Sequence, residues 1–321
     1  MTSNNCKISK VHPLLCGPEP NHHEDFDVKS VIQTLAKYVE NNMTMSEVWS
    51  EGLPTGFTCL DKILEGLRKS DLIILAGPSG IGKKYLAIDM ISNIAVNNGF
   101  PTGVFSCEIP KEQWCFWMLT EDSRIAPKRL HSGTLKDGEY GVLMQSCDRI
   151  ATAPIFIDDC NKYSISQLQL KTRIMKKGNN VQLIIIDCFQ ALCEHPERYT
   201  TPIDFEAVSR SLKEIAEELE VPVVVLFQTP LKKQEHSEGC SPKISDLDEF
   251  PGVVDFADVV MFLHREEVYQ PSDPSTYGSA EVIVAKNRDR STGTVPLRFD
   301  KQFRSFQNHP TNASLKANST K

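Results

Sequence analysis

The chain has 321 residues, of which 40% are hydrophobic and 24% charged, with a formal net charge of −7. That length buries a sizeable core in one large domain or two small ones, and the acidic balance (pI about 5.7) excludes a protein that is basic all over and coats nucleic acid passively. It leaves room for a local basic channel.

Residues 1–27 are polar and expected to be irregular; His22 and His23 read as part of a solvated tail rather than a metal pair. MTSNNCKISK has no apolar core behind it, so no leader peptide is expected. No run approaches the 18 apolar residues of a membrane span. The 10 cysteines form no C-x-x-C pair, and several sit inside apolar runs. They read as reduced thiols of a cytoplasmic protein rather than disulfides or zinc ligands.

Residues 28–42 carry Val28, Val31, Ile32, Leu35, Ala36 and Val39 on one helical stripe, within a linker segment taken as 28–46. That stripe packs either on the chain's own core or on a neighbouring subunit. From 47 to 308 the pattern is one domain. Apolar runs at 72–77, 102–108, 155–159, within 182–192 and at 221–228 predict strands. Helical patterns at 83–97, 110–120, 164–177 and 204–220 fall between them. This alternation predicts an α/β fold with a mostly parallel central sheet flanked by helices. Runs at 259–264, 281–288, 294–300 and 304–308 follow without long helices and are expected to add antiparallel members. Residues 309–321 read as a disordered tail.

The chemistry concentrates in GPSGIGKK: Gly77, Pro78, Ser79, Gly80, Ile81, Gly82, Lys83 and Lys84. Glycines at this spacing, after a strand and before a helix, let backbone N–H groups wrap phosphate oxygens. The helix start adds a field that favours anions, and Lys83 reaches the β- and γ-phosphates of ATP. A chance match in a glycine-bearing turn is the ordinary alternative. Asp187 ends the run LIIID and reads either as a Mg²⁺ carboxylate at the strand's C-terminal end or as a helix cap. Glu108 ends the second run and either deprotonates an attacking water or caps the following helix. Gln228 ends the fifth, as a γ-phosphate sensor, a relay to a bound polymer, or simply a polar residue leaving a strand. Lys286 and Arg288 exceed what one phosphate site needs beside Lys83. They reach across to a neighbour's nucleotide or lie in a solvated loop.

The ordered segments PTGFTCLD, SDLIILAGPSGIGK, GVFSCEIP, LIIIDCFQAL, SRSLKEIAEELEVPVVVLFQ, ADVVMFLHREEVY and VAKNRDRSTGTVPLRF resemble the C-terminal motor domain of the bacterial replicative DNA helicase family, DnaB. The resemblance covers about residues 28 to 308. It implies a RecA-like P-loop ATPase fold and a hexameric ring, a homo-oligomer joined through the 28–42 helix. ATP and Mg²⁺ would sit at subunit interfaces, single-stranded DNA would pass through the centre, and other replication proteins would be partners. It matches Lys83 to the phosphate-binding lysine, Glu108 to the catalytic glutamate and Asp187 to the metal aspartate. Gln228 matches the motif glutamine, and Lys286 with Arg288 the basic pair acting in trans. About 27 residues stand upstream of that helix, so the family's N-terminal helical domain is expected to be absent.

Two positions depart from the pattern. Lys84 stands where the family places the Mg²⁺-binding Ser or Thr, and a charged Lys has no lone pair to offer a metal. Its ammonium either supplies part of the cation's charge or swings out to solvent; in both cases hydrolysis is expected to be impaired while binding survives. Asp248, followed by Glu249, stands where the family has an Arg that grips DNA, and Pro251 where it has Gly; Lys232, Lys233 and Lys243 could compensate. The expectation is therefore an ATP-dependent DNA helicase motor. A catalytically degenerate paralogue serving a complete helicase is the main alternative, and a RecA-type recombination ATPase a weaker one.

Overall fold

The computed structural model describes residues 52–159, 163–193, 204–230, 241–270 and 273–310. The expected N-terminal tail, the 28–42 helix, Lys232, Lys233 and the tail beyond 310 lie outside the described residues.

A short helix α1 (Thr58–Leu64) precedes β1 (Leu72–Gly77), and the glycine loop leads into α2 (Lys83–Ile91), whose last turn widens to π geometry over Ser92–Asn97. The alternation continues with β2 (Thr102–Ser106), α3 (Lys111–Ser123), α4 (Pro127–Ser132), α5 (Glu139–Thr152) and β3 (Ile155–Asp158). Next come α6 (Ile165–Asn179), β4 (Leu183–Asp187), α7 (Phe189–Cys193), α8 (Phe205–Leu219) and β5 (Val223–Gln228). The chain closes with α9 (Val253–Phe256), β6 (Val259–His264), α10 (Glu266–Tyr269), β7 (Ser279–Asn287), β8 (Gly293–Asp300) and β9 (Ser305–Asn308). Local chemistry sets several starts: Ser164 and Gln167 form a reciprocal capping box on α6, and Asp204 accepts from Ala207 N at 2.9 Å to open α8.

The nine strands of the described residues form one sheet in the order β3-β2-β4-β5-β1-β6-β7-β8-β9. The pairings from β3 to β6 are parallel, and those from β6 to β9 are antiparallel. The mostly parallel sheet with antiparallel C-terminal strands is as expected from sequence. One run differs: 259–264 joins parallel to β1. A continuous apolar run suits a strand covered on both faces, and β6 is buried throughout. In β7 and β8 burial alternates, as one-sided antiparallel strands require.

Side chains alternate across the parallel strands into two cores. Ile73, Leu75, Ile185 and Leu226 face α2 and α3. Ile74, Ala76, Ile186, Val225 and Phe227 face α6 and α8. Each such Ile, Leu, Val or Phe side chain contributes about 1.5–3 kcal/mol on burial. Helices α4 and α5 have no counterpart in the sequence reading. Only Ser146 of α5 is buried, and Tyr140, Val142 and Met144 are exposed, so the segment lacks a clean apolar stripe. Among the described residues no helix is long and apolar enough to cross a membrane.

Candidate nucleotide site

Strand order decides what meets what. β1 ends at Gly77 beside Gln228 of β5, and Asp187 of β4 pairs with Ser106 of β2 on one side and Leu226 of β5 on the other. Glu108 follows β2 by two residues. The C-terminal ends of four parallel strands thus converge where ligands bind in open α/β sheets. A cavity of about 270 Å³ opens there, lined by Ser79, Gly80, Gly82, Lys83, Lys84, Glu108, Asp187 and Gln228, with Tyr85 and Trp117 as an aromatic wall. Those two rings meet edge to face at 5.1 Å.

The loop needs its glycines. Gly80 (φ +78°) and Gly82 (φ +111°) occupy backbone conformations that L side chains rarely adopt. A Cβ on Gly82 would also lie 3.0 Å from Phe306 Cζ. Lys83 lies back over its own loop, donating from Nζ to Gly77 O at 2.6 Å and Pro78 O at 3.0 Å. Burial brings its pKa down to about 8.

Lys84 turns inward. Its ammonium donates to Glu108 Oε2 at 2.5 Å and stands 3.1 Å from Asp187 Oδ2. Both Asp187 oxygens are buried, and Lys84 is the charged group that faces them. Asp187 is 1% exposed, and burial raises its pKa to about 6 although the Lys84 charge pulls the other way. Burial alone would also raise Glu108, but the hydrogen bond and charge of Lys84 outweigh it and hold that carboxyl below its ordinary value. Burial opposes the charge on Lys84 in turn, and the two carboxylates overcome it and raise its pKa. Cys107 and Cys188, next to the two acids, are buried thiols that desolvation pushes up to about 12. They are neutral neighbours of the charged pair.

The donor set does not suit a Mg²⁺ ion. Magnesium demands a near-octahedral set of oxygens at about 2.0–2.1 Å, whereas the space between the two carboxylates is held by an ammonium with no lone pair. Among the described residues no three His, Cys, Asp or Glu side chains are placed to hold a metal.

Lys286 and Arg288 do not join this site. Lys286 pairs opposite Val260 near the start of β6, and Lys286 Nζ donates to Val254 O at 2.7 Å. Arg288 Nη1 pairs with Asp258 Oδ1 at 3.1 Å. Register puts them on the order of 10 Å back along the strands from Gly77, and two strands across. Asp248 and Glu249 are exposed after a short 3-10 turn (Ile244–Leu247), and Lys243 is exposed beside them.

Besides the wall residues Tyr85 and Trp117, two residues that support the site escaped the sequence reading. Arg265, buried just after β6, donates from Nη1 to Ile81 O at 3.1 Å, pairs with Glu267 and lies 3.7 Å over the Phe299 ring. It holds the glycine loop from beneath; a charged residue directly after an apolar strand was the available signal. Gln190 clasps the end of β5, its Nε2 donating to Gln228 O at 2.8 Å and its Oε1 accepting from Gln228 N at 3.1 Å. Nothing in the local pattern of QAL marks that role.

A glycine-rich loop with a lysine facing two strand-end carboxylates, on a mostly parallel sheet, defines a P-loop domain of the RecA-like fold. Residues 52–308 match the family model described as "DnaB-like helicase C terminal domain", and the chain belongs to that family. It is 33% identical over 258 residues to "Replicative DNA helicase DnaB" of Geobacillus stearothermophilus, covering 80% of this chain and 56% of that one. It is 33% identical over 260 residues to the protein of that name from Pasteurella multocida (strain Pm70), covering 80% and 55%. The chain therefore spans about half the length of the curated relatives it matches. Among solved structures, an isolated ATPase domain superposes with a TM-score of 0.79 at 26% identity, over 89% of this chain and 100% of that one. "The Structure Of A DnaB-Like Replicative Helicase And Its Interactions With Primase" gives 0.79 at 26% identity, over 88% and 69%. A KaiC-like protein from Pyrococcus horikoshii OT3, at 16% identity and a TM-score of 0.56 over 81% of this chain and 99% of that one, shares the fold.

Proposed function

We propose that the chain is the nucleotide-binding motor of a DnaB-type replicative DNA helicase, taking ATP at the β1–α2 loop and single-stranded DNA in a homo-oligomeric ring in the cytoplasm. The observation that carries this reading is the convergence of Lys83, Glu108, Asp187 and Gln228 around one cavity in a chain of this family. On binding, Lys83 exchanges the carbonyls of Gly77 and Pro78 for phosphate oxygens, and the loop amides and the start of α2 complete the cradle. Lys286 and Arg288, remote from their own loop, suit contact with a neighbour's nucleotide, which is the reading a ring requires. The 28–42 helix is the proposed subunit contact.

Turnover is proposed to be slow. Glu108 is the candidate base for the attacking water. The Lys84 ammonium both hydrogen-bonds it and lowers its pKa, so it is a weaker base and is not free to face a water. A second reading rests on that same ion pair: a degenerate paralogue that binds nucleotide and supports a complete helicase without unwinding. Steady-state ATP hydrolysis with and without single-stranded DNA, for the natural chain and Lys84→Thr, separates the two. DNA-stimulated turnover by the natural chain supports the motor. Binding without turnover, with activity appearing only in Lys84→Thr, supports the paralogue.

A further inference from the structure

The nucleotide site already contains a cation. α2 opens with two lysines, and they go to different places. Lys83 lies on loop carbonyls, where phosphates would replace its acceptors. Lys84 bridges Glu108 and Asp187, which face it from the ends of two other strands. The Asp187 carboxylate is buried, and the Lys84 ammonium stands 3.1 Å from its Oδ2, so its charge is balanced by that cation. The only cation within salt-bridge distance of it among the described residues is Lys84.

A divalent ion at Asp187 would have to meet the Lys84 ammonium at close range or expel it. Expulsion leaves a half-buried ammonium without either carboxylate partner, and the hydroxyl that would help hold the metal is missing at that same position. Glu108, Asp187, Lys83 and Lys84 together carry no net charge when all are ionised, so a polyanion meets two amines without a net negative wall behind them. We infer that Lys84 is the resident cation of this site, and that the site takes nucleoside triphosphate as the metal-free anion. The inference rests on the nucleotide-binding reading above and adds to it the form of the ligand.

The test is calorimetric titration of the full chain with ATP, in excess EDTA and again in excess Mg²⁺, for the natural protein, Lys84→Thr and Lys84→Met. For the natural protein the dissociation constant is expected to change less than about threefold between the two conditions. Lys84→Thr is expected to weaken about tenfold or more in EDTA and to recover in Mg²⁺. Lys84→Met is expected to bind weakly in EDTA. As a direct readout of metal, Mn²⁺ paramagnetic resonance is expected to show protein-bound ion with ATP in Lys84→Thr and none in the natural chain. Loss of binding by the natural protein in EDTA, about tenfold or greater and restored by Mg²⁺, overturns the inference while leaving the nucleotide reading intact. Absence of binding in both conditions by protein with a folded circular-dichroism spectrum overturns the nucleotide reading itself, and the inference with it. If a Lys84 variant does not fold, the natural protein in EDTA against Mg²⁺ still decides.

Discussion

Replacing Asp187 with Asn is expected to stabilise the protein while removing its chemistry. Burial raises the Asp187 carboxyl from 3.8 to about 6, even with Lys84 beside it. A carboxyl whose folded value lies above its unfolded value lends stability that is whole below pH 3.8 and is lost as pH rises through about 6. At neutral pH the ionised group therefore costs the fold about 3 kcal/mol, with little solvent screening because the side chain is buried. Asn keeps the shape and drops the charge, and Lys84 keeps its hydrogen bond to Glu108. Urea denaturation of the ligand-free full chain across pH 4 to 8, natural against Asp187→Asn, measures the difference. Asn should lead by about 3 kcal/mol at pH 7.5, by about half that at pH 5 and by under about 1 kcal/mol at pH 4. In a domain of this size the neutral-pH gain corresponds to roughly 6–12 °C in Tm. An Asn variant that is less stable at pH 7.5, or a difference independent of pH, would refute the reasoning.

Three further outcomes are expected. Asp258 accepts from Leu72 N at 2.8 Å and pairs with Lys213 at 2.7 Å and Arg288 at 3.1 Å, tying the start of β1 to α8 and β7. Asp258→Ala leaves the buried Leu72 N–H without its acceptor, while Lys213 keeps Glu217 and the Ser70 carbonyl, and should cost about 1–3 kcal/mol in a thermal or urea melt. Gly82→Ala forces an L side chain into φ +111° against Phe306, and should cost about 1–3 kcal/mol by the same melt and weaken ATP binding. Lys83 is an ammonium below its pKa of about 8 and neutral above it, so ATP affinity in calorimetry should fall about fivefold between pH 8 and pH 9. Lys83→Ala should lose that pH dependence together with most of the affinity.

The fold class and the phosphate loop were legible in the amino-acid order. Runs such as LIILAG and LIIID are too uniformly apolar for a one-sided strand, and the glycine that closes the first and the carboxylate that closes the second mark a strand's functional end. The glycine spacing of 77–82 is a backbone constraint written directly in residue type. Such features are local, so they survive in one dimension. The tertiary structure alone decided the rest. It put 259–264 parallel to β1, because neighbour and direction depend on crossovers that apolar content does not encode. It carried Lys286 and Arg288 away from their own loop through the register of β7 on β6. It recruited Arg265 and Gln190, whose partners Ile81 and Gln228 are 184 and 38 residues away. Above all it resolved the open question of Lys84. A lysine at that position can point to solvent or inward, and the choice depends on whether charges wait for it. The order β2-β4-β5-β1 brings Glu108 and Asp187, 79 residues apart in the chain, to one ammonium.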